Sequence, residues 1–295
     1  ITIDDAAVDA AALNTLDGKT TVAIDAAAVT TLTGLATDLI EAVTSNGITG
    51  LGDEAITVDS GTATTAQANA LADETSGIVT ATIAEGDLAT LAALNGTGNA
   101  YSITIDDASV DAAALNTLDA KTTVAIDAAA VTTLAGAAID LDNAFSSAGI
   151  TGLGNEAVTL SDTSLNAAVL NTLDDKTTGI IDAGSITTLT GEASELNTAF
   201  DSSGISNLDD VNVTVDIGTA TTAQANDLAD ETSGIVTATI AEGDLATLAA
   251  LNGTGNAYSI TIDDASVDAA ALNTLDGKTT VAINAAAVTT LTGAA

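Results

Sequence analysis

The chain lacks cysteine, histidine, methionine, tryptophan and proline, and its four basic residues are all lysine. Without cysteine it forms no disulfide and no thiolate metal site, and without histidine it lacks the commonest general base and zinc ligand. Without arginine it has no side chain that holds a phosphate through two parallel hydrogen bonds. These absences remove the residues that most enzymes use, and we predict that the chain has no enzymatic activity.

Positive charge is also scarce, since 41 acidic residues give a net charge of −37. Nucleic acids and anionic membrane surfaces attract basic proteins, so we expect the chain to bind no nucleic acid and to avoid membranes. No apolar run approaches the roughly 18 residues of a membrane span, and no signal peptide is visible. The sequence starts on Ile-Thr-Ile without a methionine, so we expect a piece of a longer array whose targeting signal lies outside it.

Aromatic residues are rare, with two tyrosines and two phenylalanines, although 46% of the chain is apolar. The core must therefore be filled with alanine, valine, isoleucine, leucine and threonine. Such small and β-branched side chains suit thin, regularly stacked layers better than a bulky globular core.

Repetition is abundant. The segment ITIDDASVDAAALNTLDAKTTVAID at residues 103–127 recurs almost unchanged at residues 1–25 and 260–284. A larger duplication relates residues 61–136 to residues 218–293, and its four differences are Ala70/Asp227, Ala120/Gly277, Asp127/Asn284 and Ala135/Thr292. An active site is rarely copied so uniformly, whereas a structural array lengthens by copying.

Twelve short strings of β-branched residues recur along the chain, and the last residue of each serves as a marker. The markers are Ile3, Ile24, Val58, Ile83, Ile105, Ile126, Leu160, Ile181, Val215, Ile240, Ile262 and Ile283, and the numbers of successive markers differ by 21, 22, 25 or 34. We interpret each interval as a coil made of a strand, a short helix and a return, and such strands lie parallel with right-handed crossovers. The predicted fold is a right-handed α/β solenoid of about twelve coils with one parallel β-sheet, continuous over residues 1–295.

The 21-residue coils indicate where a helix should lie. Asp106 follows a marker and is a favourable N-cap for the alanine-rich run after it. A helix that continued to Leu118 would bury Asp111 among leucines. We therefore expect the helix to end near Ala114 or Leu115.

The 34-residue coils contain an additional apolar pattern, in which Leu35, Leu39 and Val43 share one helical face. The equivalent residues in the other two long coils are Ala137, Leu141, Phe145 and Glu192, Leu196, Phe200. This pattern predicts a second, amphipathic helix, inserted either as extra cover for the core or as a lateral ridge for packing against other rods.

The position after each marker is usually aspartate. We expect these residues to cap helices and to form a column with a spacing of about 4.8 Å along the sheet. Carboxylates at that spacing repel by roughly 0.9 kcal/mol in water, while a helix N-terminus returns about 0.3–1 kcal/mol, so bound cations would decide the balance. Calcium or magnesium bridging is therefore the alternative to plain capping, with candidate ligands Asp4, Asp25, Asp106, Asp127, Asp182 and Asp263. The EF-hand pattern and the calcium-binding nonapeptide are both absent from the sequence.

Two other hypotheses rank lower. Adjacent acids at Asp4–Asp5, Asp106–Asp107 and Asp263–Asp264 could support glycoside hydrolysis, but a sugar site also needs aromatic platforms. The Thr-x-Thr pattern at residues 80–82 and 237–239 suggests ice binding, which would need a long, flat ladder of threonines that the other strands do not supply.

The strings DAAAVTTLTG (25–34), ITGLGNEAVTL (150–160) and LNTLDDKTTG (170–179) resemble the repeat regions of giant acidic cell-surface proteins of cyanobacteria. The resemblance covers nearly the whole chain and rests on low-complexity motifs. It implies export and an extracellular structural, adhesive or motility-associated role, and it brings no catalytic residues.

We therefore predict a structural protein that forms a rigid acidic solenoid rod in an extracellular filament, sheath or surface fibre. The alternative is an adhesin stalk or binding module with cation-dependent lateral contacts. The expected partners are further copies, end to end or laterally, and divalent cations, with calcium as the candidate ion. Open solenoid ends expose unpaired strand edges, so each end should join another coil.

Overall fold

The computed structural model describes residues 1–293, which alternate short helices with short strands. The eleven described helices are α1 (Ala10–Asp17), α2 (Ala36–Thr44), α3 (Thr65–Glu74), α4 (Leu88–Leu91), α5 (Ala112–Asp119), α6 (Ala138–Ser146), α7 (Ala167–Asp174), α8 (Ala193–Asp201), α9 (Thr222–Glu231), α10 (Leu245–Leu248) and α11 (Ala269–Asp276). The described strands are β1 (Ala7–Asp9), β2 (Ile24–Asp25), β3 (Thr31–Leu35), β4 (Ile48–Thr49), β5 (Ala55–Ser60), β6 (Val79–Thr82), β7 (Ala100–Ser102), β8 (Ser109–Asp111), β9 (Ile126–Asp127), β10 (Thr133–Gly136), β11 (Ile150–Thr151), β12 (Ala157–Leu160), β13 (Ser164–Asn166), β14 (Ile181–Asp182), β15 (Thr188–Glu192), β16 (Ile205–Ser206), β17 (Asn212–Ile217), β18 (Val236–Thr239), β19 (Ala257–Ser259), β20 (Ser266–Asp268) and β21 (Thr290–Thr292).

The chain divides into two compact units. Unit 1 comprises Ile1–Leu134 and Asp140–Leu153, and unit 2 comprises Ala135–Ile139 and the residues from Gly154 on. Unit 1 contains a five-stranded sheet in the order β1-β3-β5-β6-β7, and the parallel pairs β2-β4 and β9-β11. Its helices pack in sequence, α1 against α2 and α2 against α3. The strands are thus parallel and alternate with helices, as the sequence predicts.

Unit 2 repeats this arrangement. It contains a five-stranded sheet in the order β13-β15-β17-β18-β19, the run β12-β14-β16 and the pair β20-β21, and the strand pairs are again parallel. Helix α7 packs against α8, and α8 against α9. The core in both units is made of small and aliphatic side chains, and only Tyr101 and Tyr258 add buried aromatic rings among the described residues.

The expectation of one parallel sheet, with coil lengths of 21, 22, 25 or 34, is wrong in detail. Thr31 pairs with Ala55, Ile56 with Val79 and Thr80 with Ala100, so the residue numbers of strand partners differ by 24, 23 and 20. The markers mislead because they lie in two different sets of strands. Ile24 belongs to β2, which pairs with β4, whereas Val58 belongs to β5, which pairs with β3.

The predicted position of the first helix is also wrong, and Asp111 explains why. Helix α5 begins at Ala112, well after Asp106, and the Asp111 side chain caps it by accepting from the Ala114 N–H at 2.9 Å. Asp111 therefore lies at the exposed end of the helix rather than among leucines. Leu115 and Leu118 can then both be buried on one face.

The second predicted helix forms where the apolar pattern places it, but it is no insertion. Helix α2 follows α1 as the next helix of the series and packs directly on it. Leu39 is fully buried, together with Ala36 and Ala42. Leu35 is 47% exposed because it precedes the helix in an extended conformation.

Candidate functional site

The predicted column of carboxylates does not form. In the strand register Asp25 lies between Thr2 and Thr49, with each partner parallel. Asp127 lies in the same way between Thr104 and Thr151, and Asp182 between Thr159 and Ser206. On both neighbouring strands, the residue paired with each of these aspartates is therefore a threonine or a serine rather than another aspartate. The prediction is wrong because the spacing between markers is not the spacing between paired strands.

These aspartates stabilise turns rather than helix ends. The Oδ1 atoms of Asp25, Asp127 and Asp182 accept from backbone N–H groups two residues ahead, at 3.2, 3.1 and 3.0 Å. Such short-range bonds favour tight turns. Asp182 Oδ1 also accepts from Asn207 Nδ2 at 2.7 Å, and this bond is the main reason that the pKa of Asp182 is lowered.

The other three candidate ligands, Asp4, Asp106 and Asp263, are exposed. The backbone N–H of Asp106 donates to the Gly86 carbonyl at 3.0 Å, and Asp263 donates likewise to Gly243 at 2.9 Å. Within residues 1–293 no three acidic side chains come together in an arrangement that could hold a metal ion. The six aspartates therefore do not fit a preformed calcium site, and calcium binding stays a prediction.

Consecutive repeats are instead connected by asparagine side chains within the helices. Each of these asparagines donates from Nδ2 to a backbone carbonyl in the first turn of the next helix along the chain. The pairs are Asn14 with Asp38 at 2.8 Å, Asn116 with Asp140 at 2.8 Å and Asn171 with Glu195 at 2.9 Å. The recurring Leu-Asn-Thr-Leu-Asp motif contains this asparagine and was the signal from which the link could have been found.

A second link joins the end of one helix to the turn that follows the next helix. The Asp17 carboxylate accepts from Ser45 Oγ at 2.7 Å, and Ser45 Oγ in turn accepts from the Gly47 N–H at 3.0 Å. A Cβ atom at Gly47 would overlap the Asp17 carboxylate and displace it from its hydrogen bond with Ser45, so glycine at this position preserves the link. The same contacts recur in Asp119 with Ser147 and Asp174 with Ser202, at 2.7 and 2.6 Å. The recurring Ser-x-Gly motif was the visible signal.

Buried carboxylates occur at two equivalent turns. Glu54 is 0% exposed, and its Oε2 accepts from the N–H groups of Gly52 and Asp53 at 2.6 and 3.1 Å. Glu156 is held in the same way. The third copy of this turn has Val211, which is equally buried, so the position tolerates an apolar side chain.

Hydroxyl groups line part of the sheet that contains β3 and β5 and part of the sheet that contains β15 and β17. Thr33, Thr57 and Thr80 are successive partners in unit 1, and the column ends at Ala100. The corresponding column in unit 2 is Thr190, Thr214 and Thr237, and it ends at Ala257. Each of these threonine ladders is short, far from the extended array that ice binding would need.

Unit 2 has an acidic groove between α8 and α9. It encloses about 290 Å³ and is lined by Asn197, Phe200, Asp201, Asp227, Asp230 and Glu231. The equivalent residues in unit 1 are Ile40, Val43, Thr44, Ala70, Asp73 and Glu74. Unit 2 therefore carries two more carboxylates and an aromatic ring at this place.

No helix in residues 1–293 combines the length and the apolar character needed to cross a bilayer. In comparisons with known proteins, no family model matches the chain, and no curated protein or solved structure matches it either. The resemblance to cyanobacterial surface proteins stays a prediction.

Proposed function

We propose that the chain is a structural protein, a rigid acidic α/β solenoid rod that forms part of an extracellular filament, sheath or surface fibre. The observation that carries this proposal is the regular set of links between consecutive repeats. The Asn116–Asp140 bond and the Asp17–Ser45 bond each recur in further copies of the repeat. An array built only from links of this kind gives length and stiffness rather than a reactive site.

The number of coils is inferred from the spacing between paired strands. Strand partners whose numbers differ by 20 to 24, with one helix in each repeat, favour about twelve coils over the chain, wound right-handed as parallel crossovers usually are. At about 4.8 Å for each of eleven steps, the rod would be roughly 53 Å long. A net charge of −37 over that length is about 0.7 charges per Å, close to the roughly 0.6 of duplex DNA. Such a surface would repel its neighbours and keep a dense fibre hydrated.

Electron microscopy of the purified chain, with calcium and with a chelator, tests the rod. We expect unbranched, elongated particles about 53 Å long whose shape is the same in both conditions. Particles with two lobes at variable separation would contradict a continuous solenoid. Labelling of intact cells of the source organism with an antibody against the chain tests the extracellular location, and labelling that requires permeabilised cells would contradict it.

The second candidate function is an adhesin stalk with cation-dependent lateral contacts, and the acidic groove between α8 and α9 favours it. The negative potential of four carboxylates around Phe200 would attract a cationic side chain of a neighbour or loosely held divalent cations, without a preformed metal site. Light scattering in calcium and in chelator measures such association. Asp227→Ala gives the groove the alanine that unit 1 has at Ala70, so it should weaken calcium-dependent association. Equal association of variant and wild type would exclude the groove.

A further inference from the structure

Three asparagines of the chain are followed directly by glycine, namely Asn46, Asn95 and Asn252. An asparagine in this position can cyclise, because glycine has no side chain to hinder the approach of its backbone nitrogen to the amide carbon of the asparagine. The three sites have the same dipeptide, so the sequence does not distinguish them. The structure does, through the exposure and the hydrogen bonds of each asparagine side chain.

The side chains of Asn95 and Asn252, which occupy the same turn of the duplicated segment, are held in place. The Nδ2 group of Asn95 donates to Asp73 Oδ1 at 3.0 Å, and that of Asn252 donates to Asp230 Oδ1 at 2.9 Å. The backbone N–H of each also donates to the side chain of a helical asparagine, at 2.8 Å in both turns. Neither amide group can therefore turn towards the following glycine without losing its bond to a carboxylate.

The carbonyl oxygen of the same two side chains is also protected. The Oδ1 atoms of Asn95 and Asn252 are buried and have no hydrogen-bond partner among the described residues. Attack on an amide carbon places negative charge on its oxygen, and this charge needs a hydrogen-bond donor or water to stabilise it. Here it would have neither, and an aspartate carboxylate lies beside the same amide group.

Asn46 has neither of these protections. It is exposed in the turn between α2 and β4, and its side chain forms no hydrogen bond within the part of the chain that the structure describes. The equivalent residues in the other two copies of this turn are Ala148 and Ser203, and all three copies keep the bond from the glycine N–H to the serine hydroxyl. The turn therefore does not depend on the asparagine side chain, which can rotate in water.

We propose that Asn46 is a site of non-enzymatic modification, at which the folded chain forms a succinimide and then aspartate or isoaspartate. The Gly47 nitrogen bonds to Asn46 Cγ, the Cγ–Nδ2 bond breaks, and ammonia leaves with the proton of the Gly47 N–H. Water then opens the ring at either of its two carbonyls. The reaction needs no reagent besides water, and it does not depend on the role proposed for the rod.

The link between repeats controls the rate at this site. The Gly47 N–H donates to Ser45 Oγ at 3.0 Å, and Ser45 Oγ donates to the Asp17 carboxylate at 2.7 Å. The nitrogen must leave this bond before it can attack Asn46, so the link slows the reaction. Isoaspartate runs the main chain through its own side-chain carbon, so the product would lengthen the turn beside the same link.

The test is mass spectrometry of the purified chain during incubation at mildly alkaline pH. A protease that cleaves after glutamate separates the sites, because Glu41 and Glu54 lie on either side of Asn46. The chain unfolded in guanidinium chloride is the reference, in which all three sites should react alike. In the folded chain, Asn46 should react at least about tenfold faster than Asn95 or Asn252, which must first give up a bond to a carboxylate.

Two substitutions test the assignment at Asn46. Asn46→Ala gives this turn the residue that the second copy has at Ala148, and it should remove the product from this peptide. Ser45→Ala frees the Gly47 N–H, so it should speed up the reaction at Asn46 by about two- to tenfold. An unchanged or slower reaction in Ser45→Ala would refute the control of the rate by the link.

A third substitution tests the protection of the other two sites. Asp230→Ala removes the acceptor that holds Asn252, so it should speed up the reaction there by about tenfold. Asn95 keeps its bond to Asp73 in the same molecule, so it is the matched control and should react at the rate seen in the wild type.

Two results in the wild type would overturn the inference. Equal rates at the three sites of the folded chain would mean that each reacts only after unfolding. An Asn46 that stays intact in the folded chain while it reacts in the unfolded chain would mean that the turn itself prevents the attack. An unchanged rate at Asn252 in Asp230→Ala would refute the protection by the carboxylate.

Discussion

Replacing Asn116 with alanine would measure the side-chain link between consecutive repeats. Asn116 lies within α5 and donates to the Asp140 carbonyl at 2.8 Å. Asn273 occupies the same place in α11, whose sequence is identical to that of α5. It is exposed and forms no side-chain hydrogen bond with the described residues. The two asparagines therefore differ in the link and share the local helix.

The expected magnitude follows from two opposing effects. Loss of a partly buried hydrogen bond lowers the free energy of unfolding by about 0.5–1.5 kcal/mol. Alanine in place of asparagine inside a helix raises it by up to about 0.7 kcal/mol. The second effect is common to Asn116→Ala and Asn273→Ala, so it cancels in the difference between them. We expect Asn116→Ala to be about 1 kcal/mol less stable than Asn273→Ala.

Urea unfolding followed by circular dichroism at one fixed salt concentration is the assay. Equal dependence on urea in the two variants shows that both unfold over the same surface, so their midpoints can be compared. Asn116→Asp keeps the shape of the side chain and removes the donor, so its urea midpoint should be close to that of Asn116→Ala. If Asn116→Ala and Asn273→Ala have the same stability, the asparagine links do not hold consecutive repeats together.

Further predictions concern buried groups and close backbone approaches. Burial raises the pKa of Tyr258 to about 12, so the stability that the neutral phenol contributes below pH 10.0 should be lost as the pH rises towards 12, by up to about 3 kcal/mol. Urea midpoints against pH should show this fall, and Tyr258→Phe should reduce it. A Cβ at Gly77 would overlap the Glu54 carbonyl, so Gly77→Ala should lower the free energy of unfolding by about 1–3 kcal/mol. Gly18→Ala, at a helical position with room for a Cβ, should raise the free energy of unfolding by about 0.4–1 kcal/mol. A higher thermal midpoint for Gly77→Ala than for Gly18→Ala would contradict both predictions.

The fold class could be predicted from the sequence because every repeat carries the same local signals. Strings such as TVAI favour strands, and the alanine-rich runs between them favour helices. A chain without proline and with only four aromatic residues also has few ways to interrupt this alternation. Parallel pairing then follows from chain connectivity, because a helix between two strands returns the chain in the same direction.

The strand spacing could not be predicted because it depends on which strings pair. Ile24 in β2 and Val58 in β5 both end short β-branched strings, but β2 pairs with β4 and β5 pairs with β3, and the choice of partner depends on packing. Ile24 and Val58 come one from each set, so the interval between them contains a whole repeat, from Ile24 to its partner Ile48, and part of the next. The helix position failed for a related reason, since both Asp106 and Asp111 are favourable caps, and the choice depends on which leucines the core needs.

The links between repeats were readable in principle. An asparagine inside a helix is unfavourable in isolation, so its recurrence in Leu-Asn-Thr-Leu-Asp indicates a partner outside the helix. The glycine of Ser-x-Gly likewise recurs where a carboxylate of the preceding repeat comes too close for a side chain. Neither signal points to a partner until the spacing between paired strands is known.

The register also determines how the chain tolerates its acidity. A threonine or serine lies on each side of Asp25 and Asp182 in the strand register, so the nearest carboxylate at the same register position is at least two strands away, about 9.6 Å. At that distance two carboxylates repel by roughly 0.4 kcal/mol in water, and ordinary salt screens much of this. Screening by ordinary salt is therefore enough to relieve the repulsion between these carboxylates. Sodium chloride and calcium chloride at equal ionic strength should raise the thermal midpoint equally, and an extra rise in calcium that Asp182→Asn removes would show that a specific site exists after all.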